Sequence, residues 1–281
     1  MSELTGSFDA FVEDGLMWVN DNAIDLLDGF RVLLETIYGV IDTTLAIIPY
    51  WALIAIALVA GWFFVDRVFA LAAAAGLWLC QAMGLWAETM NTLSLVLSST
   101  LIALLFAIPL GIGVGLTARL TKISDVVLDF IQTMPPYIYL LPGIALLGYG
   151  PATAMCATTL VAIPPAMRLT AHGIRRTPMQ FRELGEAIGM KPAQALVRIR
   201  IPFAFPAILA GINQCVMLAF GMVVIAGIVG SGGLGETVHN AVQRLDIARS
   251  IDAGIAIVVL SIVLDRFSQR LATVAYGGNG G

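Results

Sequence analysis

Charged residues are scarce in this chain of 281 residues: they make up 12% of it, whereas 59% of the residues are hydrophobic. Soluble domains carry about 25% charged and about 45–50% apolar residues. So little polar surface cannot cover a water-soluble globule, and a net charge of −4 offers no basic surface to nucleic acid. These deficits exclude a soluble enzyme, a nucleic-acid-binding protein and a disordered chain, and they indicate an integral membrane protein.

Sequence motifs for metal, nucleotide or nucleophilic chemistry are also missing. The three cysteines, Cys80, Cys156 and Cys215, lie far apart in apolar runs, so no metal site or disulfide can be read from their spacing. No Gly-Lys pair occurs anywhere, which excludes a phosphate-binding loop, and the two histidines stand alone in polar surroundings. We therefore predict that this chain is not an enzyme and binds no cofactor or metal itself.

Charge-free windows predict the membrane-spanning helices. A span needs about 20 mostly apolar residues, and the turn residues Gly148–Pro151 divide one window that is too long for a single helix. The predicted fold class is an all-α integral membrane protein with about seven transmembrane helices. They lie near residues 43–65, 68–87, 91–118, 128–147, 152–170, 203–228 and 250–268.

The few basic residues predict how the chain is oriented in its membrane. Seven of the fifteen lie in residues 168–200, between the fifth and sixth spans, and cytoplasmic loops are rich in lysine and arginine. With this loop in the cytoplasm, twelve of the fifteen fall on the inner side, and only Arg31, Arg244 and Arg249 fall outside. The prediction is a multi-pass protein with its N-terminus outside and its C-terminus in the cytoplasm.

The first 42 residues contain nine acidic groups and a single arginine. Apolar residues recur at helical spacing within residues 8–19 and again at Leu26, Phe30, Leu33 and Ile37, which predicts one or two amphipathic helices on the outer surface. Their acidic polar faces would not be attracted to anionic lipid. Packing against the spans or against a partner protein is expected, and the sequence leaves these two alternatives open.

Two groups of glycines are predicted to serve packing and chain turning rather than phosphate binding. Gly111, Gly113 and Gly115 lie inside the third span, where small residues let helices approach closely. The run 230–235 follows the sixth span without a lysine, which predicts a turn or a re-entrant loop.

Prolines are concentrated in the middle spans, at positions 109, 135, 136, 142, 164 and 165. Each removes a helix hydrogen bond, and such breaks are tolerated at membrane depth beside other helices or a water-lined cavity. Ordinary packing kinks are the alternative. The cluster of polar and aromatic residues around the proline pair at 132–139 favours a translocation pathway in the fourth span. The candidate pathway residues in this segment are Gln132, Met134, Pro135, Tyr137 and Tyr139.

The long cytoplasmic loop carries the most specific pattern. Glu183 is followed after six residues by Gly189, then by Ile199 and Pro202, a spacing that resembles the "EAA" signature of ABC importer permeases. In that family the segment forms a short coupling helix that docks on a separate ATPase. The resemblance implies that the following residues form or flank the ATPase contact: Glu183, Gly185, Glu186, Ala187, Gly189, Lys191 and Pro192.

Further stretches resemble the permease subunits of glycine betaine, proline betaine and choline importers. They are residues 132–135, 164–170 and 201–269, with Asn213 and Met222 in the closest-matching parts, and we add both residues to the candidate pathway. The resemblance implies a type I ABC importer permease in the bacterial cytoplasmic (inner) membrane that imports a quaternary-amine compatible solute. It also implies three partners besides lipid: an ATP-binding subunit that uses ATP and Mg, a periplasmic substrate-binding protein and a second copy of the chain.

The domain organisation follows from these assignments. We predict an acidic external segment at 1–42, two membrane helices at 43–90, a permease core at 91–270 with the coupling loop at 171–201, and a flexible cytoplasmic tail at 271–281.

Three alternative functions remain open at this stage. They are an ABC permease for another small organic solute such as an amino acid, an ion-coupled secondary transporter, and a membrane scaffold. A secondary transporter would favour carboxylates inside the spans and paired repeats with broken helices, and the sequence has neither.

Overall fold

Helices form all the regular structure in the described part of the chain. The computed structural model describes the backbone of residues 2–277 and the side chains of residues 22–270, with those of 14, 15 and 17. The helices are α1 (Ser2–Ile47), α2 (Tyr50–Phe64), α3 (Arg67–Ala82), α4 (Trp86–Leu116), α5 (Ala118–Thr133), α6 (Leu140–Leu147), α7 (Pro151–Arg175), α8 (Met179–Ala187), α9 (Pro192–Ala195), α10 (Ile201–Ala226), α11 (Gly233–Gln243) and α12 (Ile247–Gly277). Single turns of 3-10 helix cover Pro136–Tyr139 and Gly227–Val229, and a π-helical turn covers Leu196–Arg200. The predicted all-α fold class is confirmed.

Four helical stretches are long and apolar enough to cross a bilayer. They are α4, α7, the run Pro192–Val229 that contains α10, and Ile247–Arg270 within α12. They correspond to the third, fifth, sixth and seventh predicted spans. Two bent pairs are further candidates, and α3, at 16 residues, is short for a span. The described residues therefore offer four to six candidate spans where about seven were predicted.

Prolines break two of the predicted spans. The helical axis turns by 93° between α1 and α2 at Pro49, inside the span predicted at 43–65. It turns by 97° between α5 and the helical run that starts at Pro136, inside the span predicted at 128–147. Proline lacks the N–H that a helix needs, and it disfavours helical geometry in the residue before it. Each bent pair remains a candidate for one broken span. The break at Pro135 agrees with the expectation that the prolines of the fourth span interrupt its helix, whereas hydropathy gave no sign of the bend at Pro49 because it records apolar composition and not the direction of the chain.

The centre of the fold is a close contact between the parallel helices α4 and α7. A Cβ on Gly111 would lie 2.7 Å from Thr170 Cβ, and one on Gly115 would lie 2.8 Å from Ile174 Cβ, so both glycines let the backbones approach. The packing prediction is confirmed for these two glycines. It was wrong for Gly113, which has no atom within 4 Å of its Cβ position, because it lies on another side of the helix.

Helix α10 packs against the other side of α7 in the antiparallel direction. Near the end of α7, Gly173 faces Ala204 at the start of α10, whereas Gly211, two turns further along α10, faces Ala166. The bundle therefore has two ends. We call the end that holds the long loop 176–200 the loop face, and the end that holds the glycine turn 230–233 the turn face.

The remaining long helices run between the same two faces. At the turn face, the rings of Tyr50 and Trp86 lie 6.2 Å apart, and Arg249 of α12 donates to the backbone oxygen of Met83 at 3.3 Å. At the loop face, Arg270 donates to the backbone oxygen of Phe64 at 2.8 Å. Helices α2 and α12 therefore run in the same direction as α4, and α3 returns between them. The backbone of α12 stays helical to Gly277, across most of the segment predicted as a flexible tail, and residues 278–281 lie outside the described part.

Helix α1 lies across the turn face of the bundle. The Arg31 guanidinium lies against Gly148 in the loop before α7, while the Asp42 carboxylate accepts a hydrogen bond from Ser94 in α4 at 3.0 Å. Eleven residues of helix cover about 16 Å, so the segment bridges the outer turns of two core helices. Between these contacts Leu34 is 2% exposed and belongs to the main core cluster. The sequence left open what α1 packs against, and in the structure it packs against the spans.

The buried side of α1 differs from the predicted one. Three of the four residues in the predicted stripe are exposed: Leu26 at 72%, Phe30 at 40% and Leu33 at 55%. Of that stripe, Ile37 packs against the core, together with Leu27, Leu34 and Tyr38. Neighbouring helical residues point about 100° apart, and α1 is apolar on two adjacent sides, so periodicity alone could not decide which side is buried. The repeat within residues 8–19 lies almost wholly outside the described side chains.

The glycine run 230–235 forms a tight turn, as one of the two predicted alternatives. Gly230, Gly232 and Gly233 have φ values of 69°, 78° and 76°, which favour glycine. The Leu234 backbone N–H donates to Thr92 Oγ1 of α4 at 2.8 Å, and this bond seats the start of α11 on the core. The turn therefore reverses the chain at the turn face and starts α11 in a fixed position.

We expect replacement of Leu34 by alanine to loosen the attachment of α1. Removing most of this buried side chain leaves a cavity and should lower the free energy of unfolding by about 2–5 kcal/mol, as for other buried leucines. The matched control is Leu33→Ala, one residue away but 55% exposed, for which a much smaller change is expected. Thermal unfolding of both variants in detergent measures the difference, and equal shifts would contradict the packing of α1 on the core.

Candidate functional site

The loop face carries a short helix, α8, that protrudes after the end of α7. Thr177 closes α7 by donating from its hydroxyl to the Ile174 oxygen at 3.1 Å, and Pro178 directly precedes α8. Proline at a helix start fits the unsatisfied N–H groups there. Only a few residues therefore separate the core helix α7 from α8, so the position of α8 is tied to that of α7.

A glycine turn ends α8 and fixes the direction of the chain that follows. Gly189 has a φ of 71°, and its N–H donates to the Glu186 oxygen at 3.0 Å, while the Met190 N–H donates to the Gly185 oxygen at 2.9 Å. This pair of bonds is the Schellman arrangement that commonly ends helices. The Lys191 N–H then donates to the Gln194 side chain at 3.1 Å, one turn into α9. Helix, turn and second helix thus form a defined unit.

The inner side of α8 rests on the start of the next core helix. Gly185 is buried, and a Cβ there would lie 3.0 Å from Ile199 Cδ1. The rings of Phe181 and Phe203 are 4.7 Å apart. A cavity of about 460 Å³ remains beneath the unit, lined by Arg182, Glu186, Leu196, Arg200 and neighbouring residues. Helix α8 therefore contacts the base of α10 as well as following α7.

The outer side of α8 is open. Six of the seven predicted coupling residues are exposed: Glu183, Glu186, Ala187, Gly189, Lys191 and Pro192. Two of them, Glu186 and Pro192, also border the cavity beneath the unit. Gly185 lies on the inner side. Sequence analysis missed three exposed apolar side chains here, Met179, Leu184 and Ile188, at 68%, 55% and 62% exposure. The spacing of Leu184 and Ile188, four residues apart beside charged neighbours, was the signal that could have found them.

A π-helical turn joins this unit to the bundle. Residues Leu196–Arg200 adopt it between α9 and α10, and the helical run continues from Pro192 to Val229. Such turns are rare, and they are frequently found at functional sites. A push on the exposed unit would thus reach α10 through a continuous helix, and α7 through the connection at Pro178.

The candidate pathway segment forms the break between α5 and α6. Helix α5 ends at Thr133, and Pro136–Tyr139 adopts a 3-10 turn in which the Tyr139 hydroxyl donates to the Ile131 oxygen at 2.7 Å. Tyr139 is thus held by the backbone of α5. Gln132, Pro135 and Tyr137 are exposed, and Met134 and Tyr139 are half-buried.

The other two candidate pathway residues have different surroundings. Asn213 is half-buried and accepts a hydrogen bond from the Ser268 hydroxyl of α12. Met222 is 1% exposed and lies in the main core cluster, so it packs inside the bundle in this conformation. The structure therefore brings Gln132, Pro135 and Tyr137 together on one exposed segment and keeps Met222 apart from it in the packed core.

Comparison with known proteins agrees with this architecture. The model of the family "Binding-protein-dependent transport system inner membrane component" matches residues 107–273. The chain is 37% identical to the glycine betaine transport system permease protein OpuAB of Bacillus subtilis, over 95% of this chain and 94% of that one. It is 36% identical to the glycine betaine/proline betaine transport system permease protein ProW of Escherichia coli, over 94% of this chain and 74% of that one.

A solved structure shares the fold. Inward-facing MetNI, a methionine ABC transporter, superposes with a TM-score of 0.61 at 20% identity, covering 68% of this chain and 95% of that one. At this identity the likeness concerns the fold alone. A bundle with a protruding helix–turn–helix unit, a family match over more than half of the chain and relatives aligned over nearly all of it lead to one assignment: the chain belongs to the inner-membrane permease components of binding-protein-dependent ABC transport systems.

Proposed function

We propose that this chain forms the translocation channel of an ATP-driven importer of quaternary-amine compatible solutes such as glycine betaine, proline betaine or choline. The observation that carries the solute class is the alignment over 95% of the chain with a glycine betaine permease, because it includes the core helices and not only the family signature. Relatives named for carnitine, trimethylamine N-oxide and choline transport have the same kind of substrate, a small solute with a fully substituted nitrogen.

The exposed unit on the loop face is the proposed contact with the ATPase subunit. Its charged residues Glu183, Glu186 and Lys191 surround the apolar Leu184 and Ile188, a composition suited to a groove with an apolar floor and a polar rim. ATP and Mg are used by that subunit and not by this chain. The turn face would receive the substrate-binding protein, and a second copy of the chain would complete the channel.

The distribution of basic residues supports the proposed orientation. The chain segments at the loop face carry twelve of the fifteen lysines and arginines, and the turn face carries Arg31, Arg244 and Arg249. Because basic loops stay in the cytoplasm, the loop face would be cytoplasmic, with α1 on the outer side and the end of α12 inside. This orientation gives the ATPase contact the side on which ATP is available, in a chain whose family is an inner-membrane component.

Alternating access follows from the connections of the coupling unit. ATP binding by the partner would move α8, and α8 passes this movement to α7 through Pro178 and to α10 through the π-helical turn. A change in how these helices pack would open the pathway to one side at a time. The broken segment between α5 and α6 is the proposed lining, because its backbone is irregular and its side chains are exposed.

Uptake in reconstituted vesicles tests this function directly. The chain is inserted with its ATPase subunit, its substrate-binding protein and ATP, and import of radiolabelled glycine betaine is measured with choline and methionine as competing solutes. We expect import to require all components, and we expect choline but not methionine to reduce it. Import by the chain alone under an ion gradient would favour a secondary transporter, and competition by methionine would favour an amino-acid permease.

Replacement of Tyr137 by alanine is expected to impair uptake if its ring contacts the passing cation. A desolvated cation–π contact contributes about 2 kcal/mol, which corresponds to a fall in uptake efficiency of about thirtyfold. Tyr137→Phe keeps the ring and should retain most of the uptake. The matched control is Phe63→Ala, an aromatic residue of α2 that is 79% exposed and lies outside the pathway segment and the turn face, which should leave uptake near that of the wild type. Equal losses at both positions would contradict a pathway role for Tyr137.

A further inference from the structure

Helix α5 has a polar side that runs from the loop face to the broken pathway segment. Lys122, Asp125, Asp129 and Gln132 recur at helical spacing and are exposed. The opposite side is apolar and exposed, with Ile123, Val126, Val127 and Phe130 between 52% and 69%. Polar side chains at membrane depth face protein or a water-filled cavity, so the polar side of α5 lines the inner half of the bundle and not the lipid.

One basic residue from another helix meets this polar side. Arg168 of α7 forms an ion pair with the carboxylate of Asp129, and the same guanidinium donates to the backbone oxygen of Asp125 at 3.3 Å. A cavity of about 310 Å³ adjoins the pair, lined in part by Ser124, His172 and Arg175. The two paired residues are 39 positions apart in the chain, so the contact is a tertiary link between α5 and α7.

The ion pair lies near the coupling unit on α7 and near the pathway segment on α5. On α7, Arg168 precedes the end of the helix at Arg175 by two turns, and α8 begins shortly after that end. On α5, Asp129 precedes Gln132 and the break at Pro135 by one to two turns. The pair therefore joins the helix that holds the coupling unit to the helix that holds the pathway segment.

The other contacts of α5 are of a different kind. Near its start, Thr121 donates from its hydroxyl to the Val114 oxygen of α4 at 3.1 Å, and Leu128 packs into an apolar cluster that includes Ala166 and Met167. Apolar surfaces can slide past one another because their attraction has no direction. A charge-assisted hydrogen bond fixes direction and register, so the ion pair is the contact best suited to carry a movement from α7 to the far half of α5.

We propose that the Asp129–Arg168 ion pair is the tie through which movement of the coupling unit and α7 displaces the pathway segment at Gln132–Tyr139. The inference rests on the proposed function and deepens it by naming positioning residues for the transport step. Neither residue needs to touch the solute. Without the tie, the ATPase would still dock on α8 and hydrolyse ATP, but α5 would follow α7 less closely and fewer cycles would move a solute.

The test compares Asp129→Asn with Asp125→Asn in reconstituted vesicles. Both variants remove a carboxylate from the same side of α5, one turn apart. Arg168 pairs with the carboxylate of Asp129 but contacts Asp125 at the backbone oxygen, which the substitution leaves in place. For Asp129→Asn we expect the number of solutes imported per ATP hydrolysed to fall about tenfold, within the range of measured coupling between sites, with assembly and basal ATP hydrolysis little changed. Asp125→Asn should keep the wild-type ratio.

Two further variants keep the test decisive. Asp129→Glu retains the charge and should keep at least half of the wild-type ratio, while exchange of the pair, Asp129→Arg with Arg168→Asp, should regain a large part of what Asp129→Asn loses. A wild-type ratio in Asp129→Asn, an equal loss in Asp125→Asn, or no recovery in a well-assembled exchanged pair would overturn the proposal.

A second readout does not depend on the solute. A cysteine placed at exposed Gln132 is labelled with a water-soluble thiol reagent, with and without ATP on the partner subunit, against the background of the native cysteines. We expect an ATP-dependent change in labelling that is lost in the Asp129→Asn background; an unchanged response there would overturn the tie. Failure of the wild-type complex to import any quaternary amine, with this response intact, would contradict the proposed function and leave the tie standing.

Discussion

Replacement of Gly235 by alanine is expected to prevent the stable folding of this protein. A Cβ at Gly235 would lie 2.2 Å from the Val223 oxygen, and a Cβ at Gly227 would lie 2.2 Å from the Gly235 carbonyl carbon. The start of α11 and the end of α10 thus cross backbone to backbone, with no flexible side chain that could move aside. Overpacking usually costs about 1–3 kcal/mol and more where the backbone must shift, so we expect a loss above this range.

The amount of folded protein recovered from membranes, and its unfolding temperature in detergent, measure the effect. The matched control is Gly113→Ala, inside α4, where the added Cβ meets no atom within 4 Å. Alanine is favoured over glycine in a helix by about 1 kcal/mol, so this control should be neutral or stabilising. A Gly235→Ala protein as stable as the control would mean that α10 and α11 do not cross as the structure has them.

Replacement of Gly189 by valine is expected to weaken the contact with the ATPase subunit and to reduce transport, while leaving the protein in the membrane. The turn after α8 requires a φ of 71° at this position, where a residue with a Cβ costs about 1–2 kcal/mol and a β-branched one more. The bonds from Gly189 and Met190 back to α8 would be lost and the exposed unit would change direction. We expect uptake to fall more than about tenfold, since a displaced contact surface loses most of its binding energy.

Asparagine provides the control at the same position, because its side chain tolerates the left-handed region. Gly189→Asn should therefore retain most of the uptake, although it adds a larger side chain to the same exposed site. Co-purification of the ATPase subunit and uptake by vesicles are the measurements. Equal loss in both variants would indicate that the side chain itself obstructs the partner, and full uptake in Gly189→Val would mean that the turn geometry is not needed.

The spans were predictable from the sequence wherever the chain runs straight. The apolar windows of α4, α7, α10 and α12 were found at nearly their observed positions, because a continuous helix satisfies its own backbone and needs only length and apolar composition. The windows around Pro49 and Pro135 had the same composition but bend by more than 90°. A proline permits a bend without fixing its angle, and packing against α4 and α7 selects it.

Part of the candidate site was also predictable from the sequence and part was not. The proposed coupling segment was suggested by the resemblance of Glu183, Gly189 and Pro202 to a family signature, and the helix and turn found there involve neighbouring residues of the chain. The Asp129–Arg168 pair was not visible, because the sequence presents Asp129 as a charge near a span end and Arg168 as one of many basic residues. Only the packing of α5 against α7 brings the two together.

Two features of α1 and α4 required the tertiary structure for the same reason. The sequence identified an amphipathic α1, but a rotation of about 100° separates the buried Leu34 from the exposed Leu33. Gly111 and Gly115 approach α7, whereas Gly113 does not. Hydropathy and residue size report which side chains could be buried, and the neighbouring helix decides which of them are.

The scarcity of charge was by itself enough to identify a membrane protein, and the positions of the few basic residues predicted its orientation. Both depend on the free-energy cost of transferring charge into lipid and not on the fold. The sequence also determined the family, through a local signature and relatives aligned along the chain. The crossing of α10 and α11 at glycine, the course of α1 over the turn face and the ion pair between α5 and α7 were decided only by the tertiary structure. Each of these is a contact between two separate helices, where the geometry of the two surfaces, rather than the composition of either, determines the free energy of packing.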